Sequence, residues 1–592
     1  MILPRLTWLL PEPILAPPTF SGFDAPVATL LARRGFQDDA QLAPFLSSGE
    51  EALHDALLMA DAAIALERIG QAIDRGERIA IWGDYDADGM TAVVVWVMAL
   101  RALGVEPLRH VPSRLAEGYG LSVAGLERLQ AAGASLVITC DCGIANAMEI
   151  DAASALGIDV IVTDHHLPSG RLPAAVAVVD PHRPDCTYPD PDLTGAGIAY
   201  KLARALLAAR GRATPDLAAV AAIGTVADMA PMTGESRAIV QLGLAELAVT
   251  SRAGLRALLT RSAEAPEVPT GRDLAFGVAP RINAAGRIAE AELAISLLLE
   301  EDPAAAELLA DELEAVHLER RAITAAAVDL AISMAGHAHG DAPIAIVSDQ
   351  WAPGVLGLVA SRLVDTLGRP VALASPVGDE LRGSVRAPND FHVAEALEAC
   401  AALLTKRGGH PGAGGFSLPA AQWDAFAAAF RALPRPFPAD RPDSADPVDA
   451  LRIDLVLPAS YLGWSLVDQI ASLAPFGPGH VEPVLAITGL RVGEARRVGA
   501  EGKHLSFRMR RGRETIDAIA FGMPPDRPLP EEGALVDLVG TLQRDEFQGM
   551  PRLRIRVLDY ADAEASPLVG RRRAPTVALP VGEEADQLAV AR

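Results

Sequence analysis

The residues most able to do chemistry are acids and histidines that come directly after short apolar runs. The runs are RIAIWG (78–83), SLVITC (135–140), DVIVT (159–163) and AVAVVD (175–180). The side chains at or just after their ends are Asp84, Asp86, Asp88, Asp141, Asp164, His165, His166, Asp180 and His182. Carboxylates gathered in that number would repel one another, and a divalent cation removes the repulsion. Carboxylate ligands with one or two imidazoles suit Mn²⁺ or Mg²⁺ better than Zn²⁺.

The elements that must position these side chains are parallel strands. The apolar runs alternate with helical patterns such as TAVVVWVMALRALG (91–104), which indicates a parallel sheet with helices on both faces. Sites in such sheets form outside the carboxyl ends of the strands, so we expect the side chains to meet on one rim. A fifth run, AAIGTVADMAP (221–231), adds Asp228 as a further candidate because this acid also follows small and apolar residues. With five or six ligands, two ions about 3.5–4 Å apart could hydrolyse a phosphoester.

Two other metal sites can be tested on the residues alone. Asp84 to Gly89 matches the start of a calcium-binding EF-hand loop, but position 12 of that loop needs Glu and is Val95 here. The segment also follows a strand and not a helix, so we reject the calcium loop. Cys140 and Cys142 lack the second ligand pair of a zinc site, which favours a packing role. Solvated acids in turns remain the simpler alternative, above all for single members such as Asp180.

Charge and composition narrow the class of protein. The 592 residues include 52 Lys and Arg against 76 Asp and Glu, a formal net charge of −24. This balance argues against a protein that coats nucleic acid non-specifically, but a nuclease needs only a local basic path. Four cysteines exclude a disulfide scaffold and indicate a reducing compartment. No apolar run is long enough to span a membrane, and prolines interrupt the apolar N-terminus, so we expect a cytoplasmic protein.

The remaining sequence indicates further domains. An Ala- and Leu-rich stretch at 284–335 predicts helices, and a second α/β pattern runs from 342 to about 435. A Pro- and Asp-rich segment (434–447) reads as a linker. Short alternating runs from about 451 to 560 predict a small β-barrel.

Ordered motifs over roughly residues 60–560 resemble a known family. DYDADG (84–89), CDCG (140–143), DHH (164–166) and GTVADM (224–229) resemble the motifs of the DHH phosphoesterase superfamily. Other segments are similar to the RecJ family of single-strand-specific 5′→3′ DNA exonucleases. They are RLAEGYGLS (114–122), VVDPHR (178–183), LTGAGIAYKLARAL (193–206), PRINAAGRI (280–288), WAPGVLGLVASRL (351–363), KRGGHPGAGGF (406–416) and LAPFGPGHVEPV (473–484).

The resemblance implies an α/β architecture followed by a β-barrel. We expect a parallel-sheet DHH catalytic domain and a smaller α/β DHHA1 domain joined by a long helix, and then an OB-fold domain. The expected boundaries are 1–54 for an irregular N-terminal arm, 55–283 for the DHH domain, 284–338 for connecting helices, 339–436 for DHHA1, 448–562 for the OB fold and 563–592 for a disordered tail.

The resemblance also implies the reaction and its metal ligands. The expected activity releases 5′-mononucleotides from single-stranded DNA by two-metal hydrolysis, in DNA repair and recombination, with Mn²⁺ or Mg²⁺. The expected metal ligands are Asp84, Asp86, Asp88, Asp141, His165 and Asp228. His166 is expected to join them in catalysis, and Asp164 is expected to lie next to the ligands as an auxiliary position.

The expected partners are single-stranded DNA and, more loosely, a single-strand-binding protein and a helicase, with the chain a monomer. Candidates for contacts with DNA or phosphate are Arg114, Arg281, Asn283, Arg287, Ser384, Arg386, His410, Arg508, Arg510 and Arg511. Ala387 stands where a second Ser is usual in the motif at 382–386, which weakens the assignment of Ser384 and Arg386. Phe507 and Phe547 could stack bases, although burial inside the barrel is the commoner role for such residues.

Two alternatives stay open. A smaller relative in the superfamily would cleave short oligoribonucleotides or cyclic dinucleotides, but it would not need the basic segment at 495–513. A non-catalytic replication interaction protein would have lost ligands, whereas all the ligand positions are present here.

Overall fold

The computed structural model describes residues 1–592 except 15, 48, 115–116, 169, 337–341, 439–449, 500–501, 513, 548–549 and 570–592. Much of the predicted linker at 434–447 and most of the predicted tail at 563–592 therefore lie outside the described residues. The chain forms two compact units, one from 48–445 and one that combines 1–47 with 446–592. No helix in the described part of the chain is both long and apolar enough to cross a bilayer.

The first secondary-structure elements lie in the N-terminal segment. They are β1 (Thr7–Leu9), α1 (Ala25–Arg33) and α2 (Asp39–Leu46). Short 3₁₀ turns follow here and elsewhere, at Glu50–Ala52, Ala56–Leu58, Pro353–Val355, Ala401–Leu403, Ala420–Gln422 and Ala459–Tyr461.

A parallel sheet opens the unit at 48–445, as the sequence predicts. Its elements are α3 (Ala62–Arg75), β2 (Ile79–Gly83), α4 (Ala87–Ala102), β3 (Leu108–His110), α5 (Val123–Ala131), β4 (Leu136–Cys140), α6 (Ala147–Ala155), β5 (Asp159–Thr163) and β6 (Ala177–Val179). The strand order is β3-β2-β4-β5-β6, with every neighbouring pair parallel. The carboxyl ends of β2, β4 and β5 are therefore adjacent, which places their following loops on one rim.

Helices then cover the sheet and lead to the next domain. They are α7 (Gly195–Ala209), α8 (Leu217–Ala227), α9 (Gly234–Val249), α10 (Ala253–Ser262), α11 (Gly271–Asp273), a π-helical turn (Leu274–Val278), α12 (Ala279–Ile288), α13 (Ala291–Leu299) and α14 (Pro303–Ala335). α4 is buried along almost its whole length and packs against α7 and α8. The long helix α14 begins with Pro303, and Asp302 caps it by accepting from the Ala305 amide.

A smaller α/β sheet follows α14, as predicted. Its elements are β7 (Ile344–Val347), α15 (Leu356–Leu367), β8 (Val371–Val377), β9 (Glu380–Arg386), α16 (Val393–Ala399), β10 (Lys406–Gly409), β11 (Ala413–Pro419) and α17 (Trp423–Arg431). The order is β10-β11-β9-β8-β7, with β7 and β8 parallel and the other pairs antiparallel.

The second unit contains the predicted β-barrel. Its elements are β12 (Ala450–Arg452), β13 (Leu455–Pro458), α18 (Trp464–Ala471), β14 (Leu485–Val498), β15 (His504–Arg511), β16 (Glu514–Ala520), β17 (Leu535–Phe547) and β18 (Met550–Asp562). β14 pairs with both β15 and β17, while β16 and β17 both pair with β18, so the sheet closes on itself.

The N-terminal segment, expected as an irregular arm, is an ordered part of this second unit. β1 pairs in parallel with β12, and the buried carboxylate of Asp559 accepts from the Arg5 and Leu6 amides and from the Trp8 indole. These contacts join residues more than 550 positions apart, so no local sequence pattern could have indicated them.

Candidate metal centre

The loop between β2 and α4 and the first turn of α4 carry the first three acids. Asp86 caps α4 by accepting from the amides of Asp88 and Gly89, at 2.9 and 3.1 Å. Asp84 and Asp88 are buried. Asn283, on α12, holds the same loop because its side-chain oxygen accepts from the Ala87 amide at 3.0 Å. The loop is thus fixed at its own helix N-terminus and from α12.

Asp88 is held by the N-terminus of α7. Its two carboxylate oxygens accept from the amides of Gly195 at 2.7 Å and Ala196 at 3.0 Å. A side chain at position 195 does not fit, because a Cβ there would lie 2.5 Å from the Asp141 Cβ and 3.0 Å from the Asp88 Oδ2. Free amides and the helix dipole both favour a negative charge at this position.

Asp141, His165 and Asp228 come from three other elements and meet Asp88. His165 Nε2 lies 2.9 Å from Asp141 Oδ1, 3.8 Å from Asp228 Oδ2 and 3.9 Å from Asp88 Oδ2. Asp141 follows β4 in the left-handed region with φ of 61°. Asp228 caps the C-terminus of α8 and does not follow a strand, and Met229 after it is also left-handed. Such backbone conformations are uncommon for residues other than glycine and concentrate at functional sites.

His166 is bound to a buried acid behind it. Its Nδ1 donates to Asp164 Oδ1 at 2.7 Å, while Asp164 also accepts from the Ile144 amide at 2.9 Å. The Tyr119 hydroxyl donates to the Asp141 carbonyl oxygen and lies 3.2 Å from His166 Nδ1. The Asp164 carboxylate and the Tyr119 hydroxyl therefore both contact His166 and hold the DHH segment (164–166) in place.

Burial and mutual repulsion dominate the electrostatics of the acids. Burial, followed by the charges of neighbouring carboxylates, holds the pKa of Asp84, Asp88 and Asp141 well above the usual range. Partial desolvation and then the charge of Asp86 raise the pKa of Asp228 to about 7, although its side chain is 37% exposed. Burial lowers the pKa of His165 to about 4, which keeps its ring neutral and able to act as a ligand.

Asp164 and His166 form a charged pair instead. Burial is the largest single influence and raises the pKa of Asp164. The hydrogen bond and charge of His166, with the Ile144 amide and the charge of His165, together outweigh burial and leave that pKa lowered. Burial lowers and the Asp164 carboxylate raises the pKa of His166, which settles at about 9. His166 is thus an imidazolium at neutral pH.

This donor set fits divalent cations. Three overlapping groups each bring ligand atoms within 4.8 Å of one another, namely Asp84–Asp86–Asp141, Asp88–His165–Asp228 and Asp141–His165–His166. Asp84 Oδ1 is buried without a hydrogen-bond partner. An unpaired buried carboxylate oxygen is costly unless a cation faces it. Carboxylate oxygens with one or two imidazoles are the ligands that Mn²⁺ and Mg²⁺ accept.

Three arginines, here called the arginine cluster, come together near these acids: Arg114, Arg287 and Arg386. Burial and then the charge of Arg114 lower the pKa of Arg287 to about 10 and also lower that of Arg386. Arg114 stacks over the Tyr85 ring at 4.0 Å, and its Nε is buried without a partner. Within the described residues none of the three has a carboxylate in salt-bridge distance. Guanidinium groups without a carboxylate partner can bind an anion, and their forks match phosphate oxygens.

Ser384 and Arg386 lie on β9 of the smaller sheet, and Arg386 donates to the Ser384 hydroxyl at 2.9 Å. Arg287 donates to the Gly354 carbonyl at 3.2 Å, which links α12 to that sheet's domain. The charge of Arg320, on α14, also lowers the pKa of Arg287, and the Nε of Arg320 is buried without a hydrogen-bond partner. Sequence reasoning missed Arg320, since nothing in a helical Glu-Arg-Arg run marks one arginine as inward-facing.

Other predicted site residues are engaged elsewhere. Arg281 donates to Glu314 at 2.5 Å and to two backbone carbonyls, so protein groups already satisfy its guanidinium. Asn283 holds the loop before α4, as described above. His410 is exposed in the turn between β10 and β11. The structure does not bring Arg281 or His410 into the arginine cluster.

Asp180 and His182 lie behind the DHH segment. His182 Nδ1 donates to the His165 carbonyl oxygen at 2.6 Å, and the buried Asp180 accepts from the His182 amide at 2.7 Å. Cys140 and Cys142 are buried packing residues, as predicted. Sequence reasoning did not single out the Tyr119 hydroxyl or the amides of Gly195 and Ala196. The two amides are backbone donors, which no residue type can indicate.

Family models match three parts of the chain: "DHH family, N-terminal domain" at 78–225, "DHHA1 domain" at 341–433 and "RecJ OB domain" at 453–559. Three similar relatives are each named single-stranded-DNA-specific exonuclease RecJ. The protein from Bacillus subtilis is 35% identical, with 91% of this chain and 68% of that protein covered. The protein from Thermus thermophilus is 36% identical over 90% and 74%. The Escherichia coli protein is 32% identical over 83% and 88%.

Solved structures show the same similarity. The crystal structure of RecJ in complex with Mn²⁺ from Thermus thermophilus is 32% identical with a TM-score of 0.77, covering 94% of this chain and 80% of that chain. The corresponding Mg²⁺ complex has a TM-score of 0.71 at 31% identity, covering 94% and 79%.

The raised carboxylate pKa values predict that stabilisation by Mn²⁺ depends on pH. Acids whose folded pKa lies above the unfolded value stabilise the ion-free protein while protonated, and this contribution is lost as pH rises through the folded pKa. Mn²⁺ requires the ionised acids, so its increase in Tm should grow from about pH 6 to about pH 8. Melting curves with Mn²⁺ and with EDTA measure this, and Asp228→Asn should reduce the pH dependence. A Mn²⁺ effect on Tm that is equal at both pH values contradicts the assignment.

The contact of α7 with the acids predicts different outcomes for two glycines on one helix. Gly195→Ala should displace Asp88 or Asp141 and weaken Mn²⁺ binding about 10- to 100-fold, the usual effect of disturbing the groups that orient ligands. Gly197→Ala is the matched control, because a Cβ there meets its neighbours at an ordinary 3.5 Å or more. Isothermal titration with Mn²⁺ compares them. Equal affinities in the two variants would show that α7 does not set the ligand positions.

Proposed function

The chain belongs to the RecJ family of single-stranded-DNA-specific exonucleases, and from this premise we propose how its own residues bind and cut a DNA strand. The protein is a Mn²⁺- or Mg²⁺-dependent exonuclease that hydrolyses single-stranded DNA from its 5′ end and releases 5′-mononucleotides, in DNA repair and recombination. The observation that carries the assignment of roles is the position of the arginine cluster, which has no carboxylate partner within the described residues, close to an acid cluster that fits cations.

The acids Asp84, Asp86, Asp88, Asp141 and Asp228 would hold the cations together with His165. When bound there, Mn²⁺ or Mg²⁺ supplies Lewis-acid polarisation of a phosphate and activation of a water nucleophile near neutral pH. The chain's part is to keep His165 neutral through burial and to hold Asp88 with the Gly195 and Ala196 amides. Asp164 fixes His166 through Nδ1, which leaves Nε2 as a proton donor to an oxygen of the phosphate.

The arginine cluster would bind the phosphate at the end of the strand. Arg114 and Arg287 act electrostatically on Asp84 and Asp86, so a phosphate held by them lies close to the acid cluster. Arg386 and Ser384 supply donors from the smaller sheet to the same phosphate. A strand anchored at its end beside the reacting bond is cut one nucleotide at a time, which is the physical basis that we propose for exonuclease action.

We also propose the roles of the basic barrel residues, the partners and the location. Arg508, Arg510 and Arg511 would contact DNA, which predicts an affinity that falls with salt. A monomer that acts with a single-strand-binding protein and a helicase is consistent with a strand-degrading enzyme. Four free cysteines support a cytoplasmic location.

End-labelled DNA tests the activity directly. Single strands labelled at the 5′ or 3′ end, the matching duplex and a dinucleotide are incubated with Mn²⁺ or with EDTA. We expect labelled mononucleotide at once from the 5′-labelled strand, no release with EDTA, and little from duplex. Asp141→Asn should fold, since Asn tolerates the left-handed conformation, and should lose more than about a hundredfold in activity because a ligand is lost. Cleavage of only the dinucleotide would support the short-substrate alternative.

Substitutions at two arginines distinguish an effect on substrate binding from an effect on folding. Arg114→Met should raise KM for single-stranded DNA roughly tenfold to a hundredfold, the effect of losing hydrogen bonds to a charged group, with Tm unchanged. Arg281→Met removes a comparable charge but breaks the contact with Glu314, so it should lower Tm and leave KM near wild type. The reverse pattern, with KM changed only by Arg281→Met, would exclude the proposed role of the arginine cluster.

A further inference from the structure

The outer face of the barrel strands β14, β15 and β16 presents rings and cations in register. Residues of β15 alternate between the barrel interior and this outer face. The interior residues are Leu505, Phe507 and Met509, and the outer residues are His504, Ser506, Arg508 and Arg510. Phe507 is 2% exposed and packs against Tyr560 at 5.2 Å between ring centroids, so it is core and cannot stack a base. The side chain of Phe547 lies outside the described residues.

An exposed ring does exist on this face, at a position that the sequence did not single out. Ala520 pairs with Leu505, so the next residue of the chain, Phe521, falls opposite His504. The two rings lie 5.3 Å apart at 69°, and Phe521 is 49% exposed. The Gly522 amide donates to His504 Nδ1 at 3.1 Å, which fixes the imidazole beside the phenyl ring. The pair is thus an ordered aromatic surface that faces solvent.

Cations occupy the next rows of the same face. Ser506 pairs with Arg496 of β14, and Arg508 pairs with Glu494. Arg496 and Arg508 are 66% and 61% exposed, and both approach Glu494, at 3.5 and 3.3 Å. Two guanidinium groups share the Glu494 carboxylate. Asp517, which lies opposite Arg508 on β16, is bound by Arg552 at 2.8 Å, so Glu494 leaves part of the positive charge of Arg496 and Arg508 unbalanced. Successive outward positions on a strand are roughly 6.6–6.8 Å apart, comparable to the phosphate spacing of an extended single strand.

We propose that this face binds single-stranded DNA, with Phe521 and His504 stacking a base and Arg496 and Arg508 contacting the neighbouring phosphates. The inference rests on the proposed function, which already places Arg508 against DNA, and adds the base-stacking pair Phe521 and His504 and the phosphate contact of Arg496. Aromatic rings accept any base, because every base has a π face, whereas the bases of a duplex are already stacked and paired. The face therefore favours single strands without selecting a sequence.

Equilibrium binding of fluorescent oligothymidylate to the full-length protein in EDTA tests the base contact. Phe521→Ala and Phe521→Leu should both weaken binding about tenfold, the effect of losing one stacked base, because neither keeps a ring. Phe521→Tyr keeps the ring and should bind like wild type. Val481→Ala, which truncates another exposed apolar residue of the same unit, is the matched control and should leave affinity unchanged.

Abasic DNA and salt distinguish stacking from charge. On a strand of abasic residues Phe521→Ala should lose nothing relative to wild type, whereas Arg508→Met should weaken binding to both strands. Arg508→Met should also reduce the slope of log affinity against log salt by about 0.7, one phosphate contact, and Phe521→Ala should leave this slope unchanged.

Two results would overturn the inference: unchanged affinity in Phe521→Ala and Phe521→Leu, or an equal loss on normal and abasic strands. Failure of the proposed function is a separate outcome, since it would appear as a wild-type protein that releases no mononucleotide from single-stranded DNA. An active wild type whose Phe521 variants bind normally would refute only the stacking surface.

Discussion

Holding several carboxylates together in a buried cluster is the constraint on which the rest of the catalytic unit depends. Burial and mutual repulsion push the pKa values of Asp84, Asp88 and Asp141 upward, so the cluster resists ionisation when no cation is present. The fold counters this with fixed backbone donors, above all the Gly195 and Ala196 amides at the start of α7. Oriented amides stabilise the ionised acids without having to reorganise, so the site is prepared for cations before they arrive.

The arginine cluster gathers like charges of the opposite sign close to the acid cluster. Arg287 and Arg386 are half-buried near a third arginine, and the loss of solvation with the like charge lowers their pKa values. The repulsion between like charges destabilises each cluster by itself. Cations would remove this repulsion among the acids, and a phosphate would remove it among the arginines. In the proposed function, cations at the reacting phosphodiester relieve the acids and the phosphate at the end of the strand relieves the arginines, so that only a strand end would satisfy both clusters.

Much of this arrangement follows from the sequence because parallel strands obey a simple geometric rule. Apolar runs at 78–83, 135–140 and 159–163 became adjacent strands, and the acids after them share a rim. Asp228 reaches the same rim from the end of α8, which no strand rule could indicate. The sequence pattern did not predict strand β3, because it has only three residues and all of them are partly buried. Long-range contacts, such as those between Asp559 and the N-terminal segment, and the exposure of Phe521 depend on tertiary packing and register, which composition and periodicity do not encode.

Anomalous scattering from a crystal of the protein grown with Mn²⁺ is the most direct measurement of the central claim. Data collected at the manganese absorption edge should give peaks bounded by the carboxylates of Asp86, Asp88, Asp141 and Asp228 and by the His165 ring. Peaks that avoid this group of ligands, or an empty cluster in a protein that still degrades single strands with Mn²⁺, would contradict it.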